Sequence, residues 1–246
     1  MKAILVRVGI DHIYGGWNAP MNPDTNEFIY VPINENEKFS FIDNGNRKFK
    51  ELSSVLNKFC KNHKVRLYDE LKFPKQLFEK TMHLDPDFDF LTYGDVGSKR
   101  GKGIFSLKKD DLIIFYAGLK PIHKIKDNLV YALIGLYYVD KIVLVNEITE
   151  KNRIKNAHTR RTWTGDSDIV VFAQKEISGR LKKCIPIGEF RNKSYRVKKQ
   201  ILKEWGGIKI KDGYIQRSAN PPFLNKPEKF IEWLNDKDII LINSNN

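Results

Sequence analysis

His83-Leu84-Asp85-Pro86-Asp87 puts an imidazole and two carboxylates within five residues, and Asp11-His12 sets a second acid beside a second imidazole. Imidazole nitrogens and carboxylate oxygens share two uses: holding a divalent metal, and moving protons near neutral pH. Asp11, His83 and Asp85 are therefore the candidate catalytic or metal-ligating groups if the chain is an enzyme. No HExxH or DxDxDG spacing occurs, so no particular ion is indicated and no cofactor is called for, although a divalent metal is compatible with these residues. Acids on either side of a proline also suit ordinary turn chemistry or hydrogen bonding to a ligand, and all three readings stand.

A second group of residues suits recognition. Tyr14, Trp17, Tyr93 and Tyr116 fall at predicted strand ends or in glycine-bearing loops, where aromatic rings can frame a flat base. Packing in the core is the alternative for each. Beside such a pocket Asp11 and Asp95 would accept hydrogen bonds from a base edge and Arg7 would meet a phosphate or carbonyl. Further along, His158-Thr159-Arg160-Arg161-Thr162-Trp163, Ser178-Gly179-Arg180 and Gln216-Arg217-Ser218 each combine a guanidinium with hydroxyls or amides. They mark Arg160, Arg161, Ser178, Arg180 and Arg217 as candidate phosphate contacts, with Trp163 as a stacking partner.

The elements that would carry these groups follow from hydrophobic period. Ala3 to Gly9 is apolar and β-branched and reads as a strand opening into a glycine-bearing loop. Short strands are expected over Phe28–Ile33 and Phe39–Ile42. Phe49, Leu52, Val55, Leu56, Phe59 and Cys60 recur at helical spacing between residues 47 and 62, and a further helical turn is expected over Phe73–Lys80. Leu112–Tyr116, Leu129–Val139 and Lys141–Val145 read as buried strands, continued by Ile169–Phe172 and Leu181–Ile187. Ser194–Trp205 reads as a helix, Lys211-Asp212-Gly213 as a hairpin turn between Ile208–Ile210 and Tyr214–Ile215, residues from Pro227 as a last helix and Ile239–Ile242 as a last strand. Short strands with few helices and no βαβ alternation favour an α+β fold, a mostly antiparallel barrel or curved sheet with peripheral helices. No repeat or long linker interrupts the chain, so residues 1–246 are expected to form a single compact domain.

Composition narrows the class. The chain has 246 residues, 41% hydrophobic and 30% charged, with no apolar stretch of membrane-spanning length. The apolar start meets Arg7 too early for a signal peptide, which makes the cytoplasm the expected compartment and excludes a membrane partner. Two separated cysteines argue against a disulfide framework or a cysteine zinc site. The net charge of +13 is uneven: residues 151–200 hold 14 of the 43 basic residues and only 4 of the 30 acidic ones. This basic C-terminal elaboration points to DNA, RNA or a nucleotide as partner, against the plainer reading of a lysine-rich surface. Walker A, GxSxG and GxGxxG are absent, which disfavours P-loop hydrolysis, α/β-hydrolase chemistry and a Rossmann cofactor.

Three stretches together carry a resemblance. Leu5-Val6-Arg7-Val8-Gly9-Ile10-Asp11 with Tyr14-Gly15-Gly16, then His83 to Phe88 with Leu91-Thr92-Tyr93-Gly94-Asp95, then Asp111 to Leu119, make the chain similar over most of its length to the third nucleotide modification associated domain family. The resemblance implies association with base modification and leaves the reaction open. A narrower likeness links Lys108–Tyr116 and the Ala132–Leu136 strand to PUA-like barrels of the EVE and YTH type, which hold modified bases among aromatic rings. Trp17 and Trp163 are the tryptophans available for such a cage. The resulting expectation is a nucleic-acid or nucleotide-binding protein that recognises a modified or flipped base in an aromatic pocket. The alternative is a metal- or acid/base-dependent enzyme acting on a nucleotide or on a base in DNA.

Overall fold

The computed structural model describes residues 1–12, 16–36, 40–41, 47–65, 71–98, 100–162, 165–216 and 220–246. In chain order its first strands are β1 (Ala3–Arg7), β2 (Pro20–Met21), β3 (Ile33–Asn34), β4 (Met82–His83), β5 (Thr92–Val96), β6 (Leu112–Pro121) and β7 (Val130–Leu144). They are followed by β8 (Asp168–Ala173), β9 (Gly179–Pro186), β10 (Gly188–Arg191), β11 (Ser194–Val197) and β12 (Leu241–Ile242). The α-helices are α1 (Ser53–Asn62), α2 (Lys102–Phe105), α3 (Ala157–Arg160), α4 (Lys199–Glu204) and α5 (Pro227–Asn235).

The two most apolar runs, β6 and β7, pair antiparallel at the centre, with Leu112 opposite Tyr138 and Leu119 opposite Val130. β1 lies parallel to β6, β8 and β9 pair with successive parts of β7, and β5 pairs with β8 at an edge. β6 is buried over almost its whole length because the sheet is covered on both faces, which is why its sequence does not alternate. One face, through Ile4, Val6, Ile113, Phe115 and Ile134, packs under α1 and the N-terminal loops. The other, through Leu5, Ile114, Tyr116 and Leu133, packs under β11, α4 and α5, where Trp205, Phe230 and Trp233 meet edge to face or tilted. Full burial of each such side chain is worth about 1.5–3 kcal/mol, so this sandwiched sheet is the rigid frame of the molecule.

The α+β class and the mainly antiparallel sheet agree with the sequence, but among the described residues the strands do not close into a barrel. The PUA-like reading gains no support from them. The two strands expected over Leu129–Val139 and Lys141–Val145 are one, β7, with its register shifting between Val139 and Lys141 where Asp140 bulges out. The expected helix at Ser194–Trp205 starts only at Lys199. Ser194–Val197 instead forms a hairpin with β10 across a turn in which Asn192 and Lys193 have φ of 51° and 61°. That left-handed pair is the hairpin geometry that twists with its strands, and Tyr195 and Val197 then point inward at strand period. Lys211–Gly213 is a 3-10 turn, but its flanks pair elsewhere, Ile208 with Leu224 and Tyr214 with Arg196. Of the strand expected at Phe39–Ile42, Ser40 and Phe41 lie within the described residues; Phe41 bridges to Arg161 and the Ser40 carbonyl accepts from Thr162 N–H (2.9 Å).

Two minor features matter for the site. β3 and β4 form a short antiparallel ladder, Ile33 opposite His83. Residues 244–246 close over the loop after β4. Asn245 donates from Nδ2 to Asp87 Oδ1 (3.0 Å) and from its backbone N–H to Asp89 Oδ1 (2.9 Å), and its Oδ1 accepts from Phe88 N–H (2.8 Å). Among the described residues no helix is long and apolar enough to cross a membrane.

Candidate functional site

His83 ends β4, Asp85 follows two residues later and His158 sits in α3, 73 positions further along the chain, yet the three side chains converge. Nε2 of His83 and Nε2 of His158 each lie 3.7 Å from Asp85 Oδ2, and the two rings are 5.1 Å apart. All three residues are more than nine-tenths buried.

Each is held from behind. His83 Nδ1 meets Glu35 Oε2 at 2.7 Å, and His158 Nδ1 meets Asp168 Oδ2 at 2.8 Å. Carboxylates placed there fix ring orientation and, in the neutral imidazole, favour the proton on Nδ1, so that Nε2 is the atom turned toward Asp85. Asp85 Oδ1 accepts from Gly94 N–H (2.7 Å) and Asn156 Nδ2 (3.1 Å). The Asn156 side-chain oxygen also caps α3 by accepting from His158 N–H, so one buried amide sets both a ligand and a helix start. Gly94 is required by the approach of the ring: a Cβ there would stand 2.4 Å from His158 Cδ2. Arg161 Nη2 donates to Glu35 Oε1 (2.8 Å), and its Nη1 lies 3.7 Å from Asp168 Oδ2, tying the two outer carboxylates together.

Electrostatics separate the carboxyls. Burial pushes the Asp85 carboxyl up to about 7, against the pull of His158 and its two hydrogen bonds, with Asp95 adding to the rise. Burial acts in the same sense on Glu35, but its hydrogen bond to His83 and attraction to that ring and to Arg161 outweigh it and bring that carboxyl down to about 2. Two carboxyls in one site are thus driven apart, as in sites where one group carries charge and another exchanges protons.

A second polar group adjoins the first through Asp95. Tyr93 OH donates to Asp95 Oδ2 (2.9 Å), and Arg100 Nε lies 4.0 Å from the same oxygen while its Nη2 donates to the Arg7 carbonyl (2.6 Å). Arg7 pairs with Asp11 at 2.6 Å, donates to the Gln216 carbonyl and lies 5.6 Å over the Tyr131 ring. Tyr116 OH donates to the Ile215 carbonyl (2.9 Å). Arg7 at the end of β1, paired with Tyr116 in the middle of β6 and with Asp11, is thus linked through Arg100 to Asp95 and Tyr93 on β5.

The remaining candidates lie apart. Trp17 packs on Phe73 with ring centroids 4.8 Å apart. Arg160 is 5% exposed and its Nη2 meets Asp87 Oδ2 at 2.6 Å. Ser178 Oγ accepts from Tyr138 N–H (3.0 Å). Arg180 donates to the Ser244 carbonyl (2.9 Å) and lies over Phe28, where burial lowers its pKa to about 10. With Arg161, these cations face the interior. Tyr14, Trp163 and Arg217 lie outside the described residues. Of the metal-ligand candidates, His83 and Asp85 meet, whereas Asp11 pairs with Arg7 and His158 takes the third place. Glu35, Asp168, Asn156 and Arg100 carry no contiguous motif, whereas Gly94 lies within the Leu91–Asp95 stretch. The one sequence cue is Asp168 directly ahead of the apolar run Ile169–Phe172.

A family model described as nucleotide modification associated domain 3 matches residues 2–215. No curated protein and no solved structure matches the chain.

Proposed function

The chain belongs to the nucleotide modification associated domain 3 family, and from that premise we propose that it acts chemically on a nucleotide or nucleobase at the His83–Asp85–His158 centre. Membership associates it with nucleotide or base modification. The observation that carries the catalytic reading is the convergence of two imidazoles and a carboxylate from separate segments, each with its own buried partner behind it. Core packing alone gives no reason to bring five such groups out of water, since each costs several kcal/mol unless paired. Such a centre can move a proton or activate a nucleophile against an electrophilic atom of the base or phosphate. To Arg7, Asp11 and Asp95, linked to one another through Arg100, we assign the reading of the polar edge of that base.

Recognition without turnover, through an aromatic cage, has less behind it. Tyr93 packs on Phe115, Trp17 on Phe73, and Tyr116 is wholly buried, so their faces are already engaged.

The test is incubation of the protein with nucleotides and with single- and double-stranded DNA and RNA, followed by digestion and mass spectrometry. A modified product that falls at least ~100-fold in His158→Ala is expected, and Asp11→Ala should weaken substrate binding more than the chemical step. Product formation at the wild-type level in His158→Ala would remove the centre from the function.

A further inference from the structure

We infer that His83 Nε2, Asp85 Oδ2 and His158 Nε2 bind one divalent first-row transition-metal ion. This deepens the reading above, since the ion would sit at the same centre, but it stands on two separate observations. The first is that three acceptors face one another without a donor. At 3.7 Å neither imidazole hydrogen-bonds to Asp85 Oδ2, and among the described residues no N–H or O–H donates to that oxygen or to either Nε2. With both Nδ1 positions turned to carboxylates, three lone pairs point into one space, which is stable when a cation fills it. The second is charge. With Asp85 ionised, as a ligand carboxylate is, Glu35, Asp85 and Asp168 surround the two rings with three negative charges, and among the described residues Arg161 is the cation that touches them. A dication then removes the excess of two.

Size and donor type set the class of ion. Metal–nitrogen bonds of about 2.0–2.1 Å in a tetrahedral site separate donors by roughly 3.4 Å, so each imidazole needs to close on Asp85 by only a few tenths of an ångström, and all three donor atoms already lie within 4.8 Å of one another. Two imidazoles and one carboxylate suit zinc, iron, manganese or cobalt, whereas magnesium and calcium prefer all-oxygen shells. Three protein ligands leave a position for water or substrate, the arrangement of catalytic rather than closed structural sites. Glu35 and Asp168 then serve as positioning residues, orienting the ligand rings without touching the ion.

The experiment is calorimetric titration of chelator-stripped full chain with Zn²⁺ and Co²⁺, with Mg²⁺ as control and the Co²⁺ absorption spectrum as a report on ligand geometry. Expected are one equivalent bound, no saturable Mg²⁺ binding, loss of at least ~100-fold in affinity for His158→Ala and Asp85→Asn, and ~10- to 100-fold for Glu35→Gln. Circular dichroism of each variant shows whether it is folded, and Glu35→Gln, which keeps all three ligands, serves if the other two are not. No saturable binding to wild type overturns the inference. So does undiminished binding in folded Asp85→Asn, which would place the ion elsewhere, as on His63 beside Glu27 (3.1 Å). Turnover that depends on His158 in metal-free protein defeats the metal and leaves the functional reading intact. Metal bound at the centre with turnover indifferent to it does the reverse.

Discussion

One basic tract supplies two arginine–carboxylate networks that behave in opposite ways. In the inner one, Arg160 and Arg161 reach Asp87 and Glu35 at 2.6 and 2.8 Å, with every partner at least nine-tenths buried. In the outer one, on the β10–β11 hairpin, Arg191 pairs with Glu189 and Asp212, and Arg196 reaches Asp212 at 3.4 Å. There the carboxylates are more than one-third exposed. The inner pairs bind together the loop after β4, α3 and the segment after β3, the pieces that carry Asp85, His158 and the Glu35 that orients His83. The outer pairs decorate a surface already fixed by Tyr195 stacking on Tyr131 at 4.5 Å. Charge density along a sequence therefore says little about which groups meet solvent: even in the outer network the arginine side chains are only 14% and 16% exposed, and it is their carboxylates that face water. Burial decides it, because a buried ion is tolerated only beside its counter-ion, whereas an exposed one is indifferent.

The contrast can be broken most directly at Arg160. Arg160→Met leaves Asp87 charged and enclosed, and denaturant unfolding should show a loss of about 3–5 kcal/mol. A loss no larger than that of a surface variant would mean the inner network is not what joins these segments. Next comes pH. In metal-stripped protein the Asp85 carboxyl titrates at about 7 when folded, above its unfolded value of about 4. The folded state then binds the extra proton between those limits, so this group's contribution to stability is full below about pH 4 and falls as pH rises to about 7. The total is on the order of a few kcal/mol. Thermal melts across that window should lose this slope in Asp85→Asn, and equal slopes in the two proteins would contradict the assignment. Gly94→Ala sharpens the inner half further. Its methyl must displace the His158 ring, at about 1–3 kcal/mol in stability and with a fall in metal affinity exceeding that of an alanine placed on any exposed strand position. Smallest of all, Asp212→Asn in the outer network should leave the unfolding midpoint indistinguishable from wild type at moderate salt, and a clear shift would show the two networks to be less different than their burial suggests.

Much of the scaffold was legible because its signals are local. The apolar runs at 112–116 and 129–145, the helical spacing of Phe49 to Cys60 and the proline opening α5 all correspond to elements at those places. Where period was ambiguous the reading slipped: Tyr195 and Val197 fit either a helix or a strand, and the hairpin turn at Asn192–Lys193 decided for the strand. His83 and Asp85 could be singled out by type and closeness. His158 could not be assigned to them, since its neighbours Arg160 and Arg161 made the segment look like a phosphate contact. Only pairing of β5 with β8 and the Asn156 cap bring that imidazole to Asp85, and neither is written in contiguous residues.

The clasp of residues 244–246 over the loop after β4 has a consequence for how the molecule matures. Asn245 completes the hydrogen bonding of Asp87 and Phe88 across 158 and 157 positions of sequence, so contacts beside Asp85 wait on residues that leave the ribosome well over a hundred positions later. Long loop closures of this kind are slow, and the central β6–β7 hairpin has all its partners within reach long before. In pulse-labelling hydrogen exchange the amide of Phe88 should gain protection after those of β6. The frame sets first, and the reactive corner is the last to become rigid.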